Sequence, residues 1–217
     1  MNSVGDKMKL HVKRFTNKET MSAVQKGFFE YEKVVDKEIH YVYLNKSGRY
    51  NELIMKPHSA NFMHLCGVHY LDSRNKKLNP EKFYEGLRNS MLSYQGIRHA
   101  DGYTNLKLAV LPELHSLTSC KDLRIVDTPT TYEKNSFTHA IKTRRKIFVL
   151  GLEEEVNPLP YFVPKSLLNT KSLPHIDSGH QVHCIYTLDV STRNKNILCK
   201  DQDFVKYEEE KSYTYAK

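Results

Sequence analysis

Ala60-Asn61-Phe62-Met63-His64-Leu65-Cys66-Gly67-Val68-His69-Tyr70 crowds two histidines and a tyrosine into a short apolar helix and its exit. Ser59 can cap this helix and Gly67 can end it. Imidazoles on an ordered scaffold are the usual general acids and bases near neutral pH. The patterning differs on the two sides of the segment, and that difference sets the fold. Before it, Lys18 to Lys37 places Met21, Val24, Phe28, Tyr31, Val34 and Val35 at helical spacing, with lysines and glutamates outside. The runs Glu38 to Leu44 and Tyr50 to Met55 then flank Asn45-Lys46-Ser47-Gly48-Arg49 and read as a β-hairpin. After it, Asn79-Pro80 opens a helix through Phe83, Tyr84, Leu87, Met91 and Leu92. Thr104 to Leu117 offers another, which Pro112 must bend or split.

Strand signals return from Leu123 onward, in Leu123 to Val126, Lys146 to Leu152, Tyr161 to Pro164 and Gln181 to Val190. Pro164 implies an edge or interrupted strand. The pattern is α+β, with helices set between two groups of strands and an antiparallel sheet in the C-terminal half. We divide the chain into an N-terminal extension (1–17), a single domain (18–200) with a helical middle section at about 59–118, and a charged C-terminal tail (201–217), weakly held from Lys206 onward.

A chain of 217 residues can bury a real core, and with 39% apolar residues it has no run long enough to cross a bilayer. Met1 to Lys9 lacks the apolar centre of a secretory signal, so a cytoplasmic location and no membrane partner are expected. Cys66, Cys120, Cys184 and Cys199 lie far apart without a C-x-x-C pair and read as free thiols, Cys66 as a small buried hydrophobe. The net charge of +8 favours a polyanionic partner. His139 to Lys146 contains no acid, whereas Glu153-Glu154-Glu155 and Glu208-Glu209-Glu210 are acidic clusters. Nucleotide-binding glycine loops, the G-x-S-x-G elbow and H-E-x-x-H are absent from the sequence. His175, His180 and His183 lie near Asp177, but a strand would point His180 and His183 to opposite faces, and Ser178-Gly179 marks a turn. No metal site and no cofactor are expected.

The order helix, tyrosine-rich hairpin, then Phe62-Met63-His64-Leu65-Cys66-Gly67-Val68 resembles the F-x-H-L-x-G signature of the phage-associated nuclease-like domains grouped with barnase, EndoU, the tRNA-cutting colicins and RelE. Lys146 to Leu152, followed by Tyr161-Phe162-Val163-Pro164-Lys165-Ser166-Leu167-Leu168, looks like that group's y-f-P-x-S-h-h region. The resemblance spans about residues 20–190 on short motifs. It implies a curved antiparallel sheet packed on several helices, and metal-independent RNA cleavage. The breadth of the helical insertion, with Tyr84, His99 and His115, departs from the group's pattern.

Cleaving RNA without a metal needs a base for the 2′-hydroxyl, an acid for the leaving oxygen and cations for the phosphate. His64 or His69 can exchange protons, with His183 as a second histidine. Lys142, Arg144, Arg145 and Lys146 can hold phosphate, and His69 can contact it. Lys165 and Ser166 can supply a charge and a hydroxyl, and Tyr161 can stack a base. Each also has a structural role open to it: His64 as a helix residue, His69 as a loop residue, Ser166 as a cap and Tyr161 as a strand aromatic. The leading expectation is a ribonuclease-like enzyme of phage or mobile-element association, a toxin or effector acting on RNA, tRNA included, with an antitoxin or other protein partner. The alternative is a nucleic-acid-binding module, or an inhibitor of a nuclease or defence complex, on the same basic surface.

Overall fold

A computed structural model describes residues 13–132, 135–145, 147–156, 160–173, 177–189, 192 and 194–215, without the side chains of 132, 135, 172 and 209–215. Lys146 and His175, most of the N-terminal extension and the last two residues lie outside the described residues. The described elements are helix α1 (Asn17–Tyr31), strands β1 (Glu38–Leu44) and β2 (Tyr50–Met55), helix α2 (Ser59–Cys66), strand β3 (Val68–Tyr70), helix α3 (Pro80–Arg88), strand β4 (Ile97–His99) and helix α4 (Thr104–Val110). A 3-10 segment Leu111–Thr118 follows, and Pro112 divides it from α4 as the sequence implies. Then come β5 (Leu123–Val126), β6 (Thr130–Tyr132), β7 (Asn135–Phe137), β8 (His139–Thr143), β9 (Phe148–Val156), β10 (Pro160–Asn169), β11 (His180–Leu188), β12 (Lys195–Lys200) and α5 (Gln202–Tyr215).

Eight strands form one sheet in the order β1-β2-β10-β9-β8-β5-β11-β12, and β1 also pairs with β11. The sheet therefore closes into a barrel-like ring of mostly antiparallel strands, with β12 continuing outward from β11. The weakest seam is β2 against β10, a single parallel bridge between Met55 and Phe162 that the Lys56 N–H extends by donating to the Phe162 carbonyl at 2.8 Å. Pro164 sits inside β10, and the register shifts between Pro164 and Ser166, so a bulge absorbs the missing N–H.

One face of the sheet carries the helices. Strand alternation turns Ile39, Tyr41, Leu53, Met55, Leu150, Leu152 and Leu167 toward Val24, Phe28, Tyr31, Phe62, Leu65, Phe83 and Tyr84 in one continuous core. Phe62 is fully buried, with ring centroids 5.1 Å from Tyr31 and 6.0 Å from Phe28. Burial of such a side chain contributes about 1.5–3 kcal/mol. α1 begins with a Thr16 capping box closed by Glu19, and α3 begins with Asn79 accepting from the Lys82 N–H at 2.8 Å.

The other face is covered in two places. Phe204 of α5 packs on Val42 and Cys184, joined by Tyr50 and Tyr207. Phe137 closes over Gly151, where a Cβ would stand 2.3 Å from its ring. The charged C-terminal stretch runs as a helix from Gln202, with Phe204 packed at its start. A correction concerns the cysteines. Cys120 and Cys199 form a disulfide, while Cys66 and Cys184 are free and buried. The bridge joins the turn before β5 to the end of β12, 79 residues away, so no local spacing announces it.

Gly67 ends α2 at φ 66°, with its N–H on the His64 carbonyl at 3.1 Å, and its own carbonyl accepts from the Thr104 hydroxyl at 2.5 Å. A Cβ there would meet Lys107 Cδ at 2.8 Å. Gly67→Ala should lower stability by about 1 kcal/mol or more, read as a lower denaturant midpoint at unchanged slope.

Candidate active site

On β1, residues two apart share a face, so Glu38 and His40 both point away from the helices. The cross-strand partners of β1 supply the rest. Glu52 on β2 lies diagonal to His40, Tyr186 on β11 lies opposite it, and Lys56 follows β2 to lie opposite Glu38. His40 Nε2 is 3.0 Å from Glu38 Oε1, and His40 Nδ1 is 3.2 Å from Glu52 Oε1, though not aligned as a hydrogen bond. The Tyr186 hydroxyl donates to Glu52, and its ring stacks on the imidazole at 4.4 Å and 9°. Lys56 Nζ is 3.0 Å from Glu38 Oε2, and Lys195 Nζ stands 3.8 Å over the Tyr186 ring.

Burial and charge act in opposition here. Burial alone raises the Glu38 carboxyl, but the hydrogen bond and charge of Lys56, with His40, outweigh it and hold the group below the ordinary 4.5. Glu52 is likewise raised by burial and drawn below that value by His40, Tyr186 and Lys195. Burial and the neighbouring Glu52 push the Tyr186 phenol up, so it remains a donor. His40 is 4% exposed, whereas the Glu52 side chain is 38% exposed and that of Lys56 31%. The imidazole is a buried support, and the carboxylate and ammonium in front of it face solvent.

The residues singled out from sequence fall in several places. Tyr161 adjoins this cluster: Lys56 Nζ lies 4.7 Å from its ring centroid, and its hydroxyl donates to Glu155 at 2.6 Å, which with burial raises the phenol. His183 is buried farther along β11, with Nδ1 2.7 Å from Asp201. Ser166 is buried opposite Gly151, and Lys165 is exposed and paired with Glu153 at 3.0 Å. Lys142 is buried and donates to the Asp177 carbonyl, while Arg144 and Arg145 are exposed beyond β8. Lys146 lies outside the described residues.

His64 and His69 belong to the helical layer. His64 is exposed, and the Lys107 ammonium donates to its carbonyl at 3.0 Å. Lys77 Nζ is 3.4 Å from His69 Nε2, and burial, then the charges of Lys77 and His64, lower that imidazole from 6.5. These groups gather on the side of the sheet opposite Glu38 and His40. His180 pairs with Asp127 at 3.1 Å, away from His183, so the two histidines point apart as the strand alternation implies.

Fold and site define an α+β protein with an acid-base cluster on the open face of a closed sheet. The chain belongs to the family described as phage-Barnase-EndoU-ColicinE5/D-RelE like nuclease4, which it matches over residues 23–204. No curated protein and no solved structure matches it. Membership makes it a nuclease-like protein, and no described helix is long and apolar enough to cross a membrane.

Because their folded values are lowered, Glu38 and Glu52 contribute stability that is complete above 4.5 and lost as pH falls through those lowered values. The denaturation midpoint should drop as pH falls below about 5, and less steeply in Glu38→Gln. An identical drop in that variant would place the proton uptake elsewhere.

Proposed function

We propose that this chain is a metal-independent endoribonuclease whose working face is the cluster around Glu52. The observation that carries the proposal is an ionised, half-exposed carboxylate backed by a buried imidazole and near the Lys195 ammonium, with a Glu38–Lys56 pair on the imidazole's other side, in a member of a nuclease-like family. Glu52 takes the proton of the 2′-hydroxyl and the 2′-oxygen bonds to phosphorus. The bond from phosphorus to the 5′-oxygen breaks, and the Lys56 ammonium gives that oxygen a proton. The products are a 2′,3′-cyclic phosphate and a 5′-hydroxyl. Lys195 balances the charge that builds on the phosphate, and Tyr161 offers a face for a base. His40 is a positioning residue: it orients Glu52 and keeps it ionised.

Arg144 and Arg145 extend the electropositive surface along which a longer RNA such as tRNA is held, while His64, His69, Lys77 and Lys107 lie on the opposite side of the sheet. His183, Ser166 and Lys142 are buried and act as supports rather than contacts. An RNA substrate favours the cytoplasm as the place of action. The phage term in the family description supports a toxin or effector role, and such an enzyme calls for an antitoxin in the cell that makes it.

Incubation with total RNA and labelled tRNA in chelator should give discrete fragments ending in cyclic phosphate. Glu52→Gln should slow cleavage on the order of 100-fold. Lys195→Ala should lower kcat about tenfold with little change in KM. Intact RNA bound equally by wild type and Glu52→Gln would instead mark a binding module.

A further inference from the structure

His183, Asp201 and Asp203 bring one imidazole nitrogen and two carboxylates within 4.8 Å of one another. The chain places them together for reasons of register. β12 pairs with β11 as far as Cys184 opposite Lys200, and the Asp201 N–H then donates to the His183 carbonyl at 2.8 Å. Asp201 also caps α5, its Oδ1 accepting from the Phe204 N–H at 3.0 Å, which leaves Oδ2 turned toward His183. Asp203 lies in the first turn of the same helix, exposed.

The independent observation is His183 itself. The residue is 6% exposed, and its Nδ1 is buried without a hydrogen-bond partner although Asp201 Oδ2 is only 2.7 Å away. The approach does not meet the geometry of a hydrogen bond, so the buried nitrogen sits at ion-pair distance from Asp201 without a hydrogen bond to it. An ion between the three would satisfy all of them. Its charge of +2 would balance the two carboxylates, and its imidazole-plus-oxygen donor set suits zinc and its neighbours better than magnesium or calcium. Ligand distances of about 2.0–2.2 Å put donor atoms on one tetrahedral ion roughly 3.3–3.5 Å apart. His183 Nδ1 and Asp201 Oδ2, now 2.7 Å apart, must part by about 0.6 Å on binding, and rotation of the exposed Asp203 side chain brings in the third donor. Lys200 is engaged with Glu208, and the Tyr50 ring closes the buried side at 5.5 Å from the imidazole.

We propose that His183, Asp201 and Asp203 form a divalent transition-metal site, with zinc as the fitting ion, that fastens the start of α5 to β11. The ion has three protein ligands and one position open to water on the Asp203 side. It stands apart from Glu52 and takes no part in the cleavage chemistry proposed above.

The test uses the full chain stripped of metal and titrated with Co2+. Uptake of one equivalent with visible d–d absorption, displacement by Zn2+ and a higher melting temperature are expected. Asp203→Asn removes an exposed carboxylate, so its metal-free melting temperature should match the wild type while its Co2+ affinity falls about tenfold or more. His183→Ala should show no visible bands. No uptake by the wild type, or equal affinity in Asp203→Asn, would overturn the site and leave a simple imidazole–carboxylate pair. Both readouts are independent of RNA cleavage, so failure here leaves the nuclease proposal standing, and failure of that proposal leaves this one standing.

Discussion

The structure depends on β1 being hydrogen-bonded along both edges, to β2 on one side and β11 on the other. This double pairing turns an open sheet into a closed one. It also buries Glu38 to Tyr43 on both faces. A polar side chain on such a strand must find partners or cost several kcal/mol. Glu38 and His40 find them in each other and in Lys56 and Glu52 from β2. The cluster is therefore as much a condition of closing the sheet as a chemical centre. Its geometry is fixed by strand register rather than by loops.

Much of the local structure is legible in the sequence because it rests on short-range physics. The spacing of Met21, Val24, Phe28 and Tyr31 can serve only a helix, Asn79-Pro80 sets the start of α3, and Pro112 divides α4 from the 3-10 turn. The family was legible too, from residues 62–68 and 161–168, although their motif residues His64 and Ser166 lie apart from the acid-base cluster. What could not be read locally was pairing over distance. Tyr186 donates to Glu52 across 134 residues of chain, and Cys120 meets Cys199 across 79. One signal was present: Glu38 and His40 stand two apart in an otherwise apolar run, the spacing that puts both on one strand face. His64 drew notice first because it sits in a motif, yet its exposed imidazole has no ion-paired carboxylate among the described residues.

β12 and α5 show how the C-terminal end shapes the working face. β12 continues from β11 and brings Lys195 over Tyr186, while α5 seats Phe204 on Val42 and Cys184, the next layer along the same strands. The Cys120–Cys199 bridge pins the end of β12 to the turn before β5. The charged C-terminal stretch is seated at its start because Phe204 has a place to go. The apolar layer it closes lies beside the polar one and shields Cys184 and Val42 from water.

Charge is divided in a way that separates attraction from chemistry. The chain carries +8 overall, but the cluster itself sets Glu38 and Glu52 against Lys56 and Lys195 and is close to neutral. A strongly positive centre would bind phosphate tightly in the ground state and hold it there, adding nothing to the chemical step. A balanced centre behind a positive surface lets the long-range field gather RNA, and reserves the lysines for charge that appears only as the phosphorus gains its fifth ligand. His40 fits this division because it is buried. Stacked under Tyr186 and buried, it directs its two ring nitrogens at the two carboxylates rather than at the substrate.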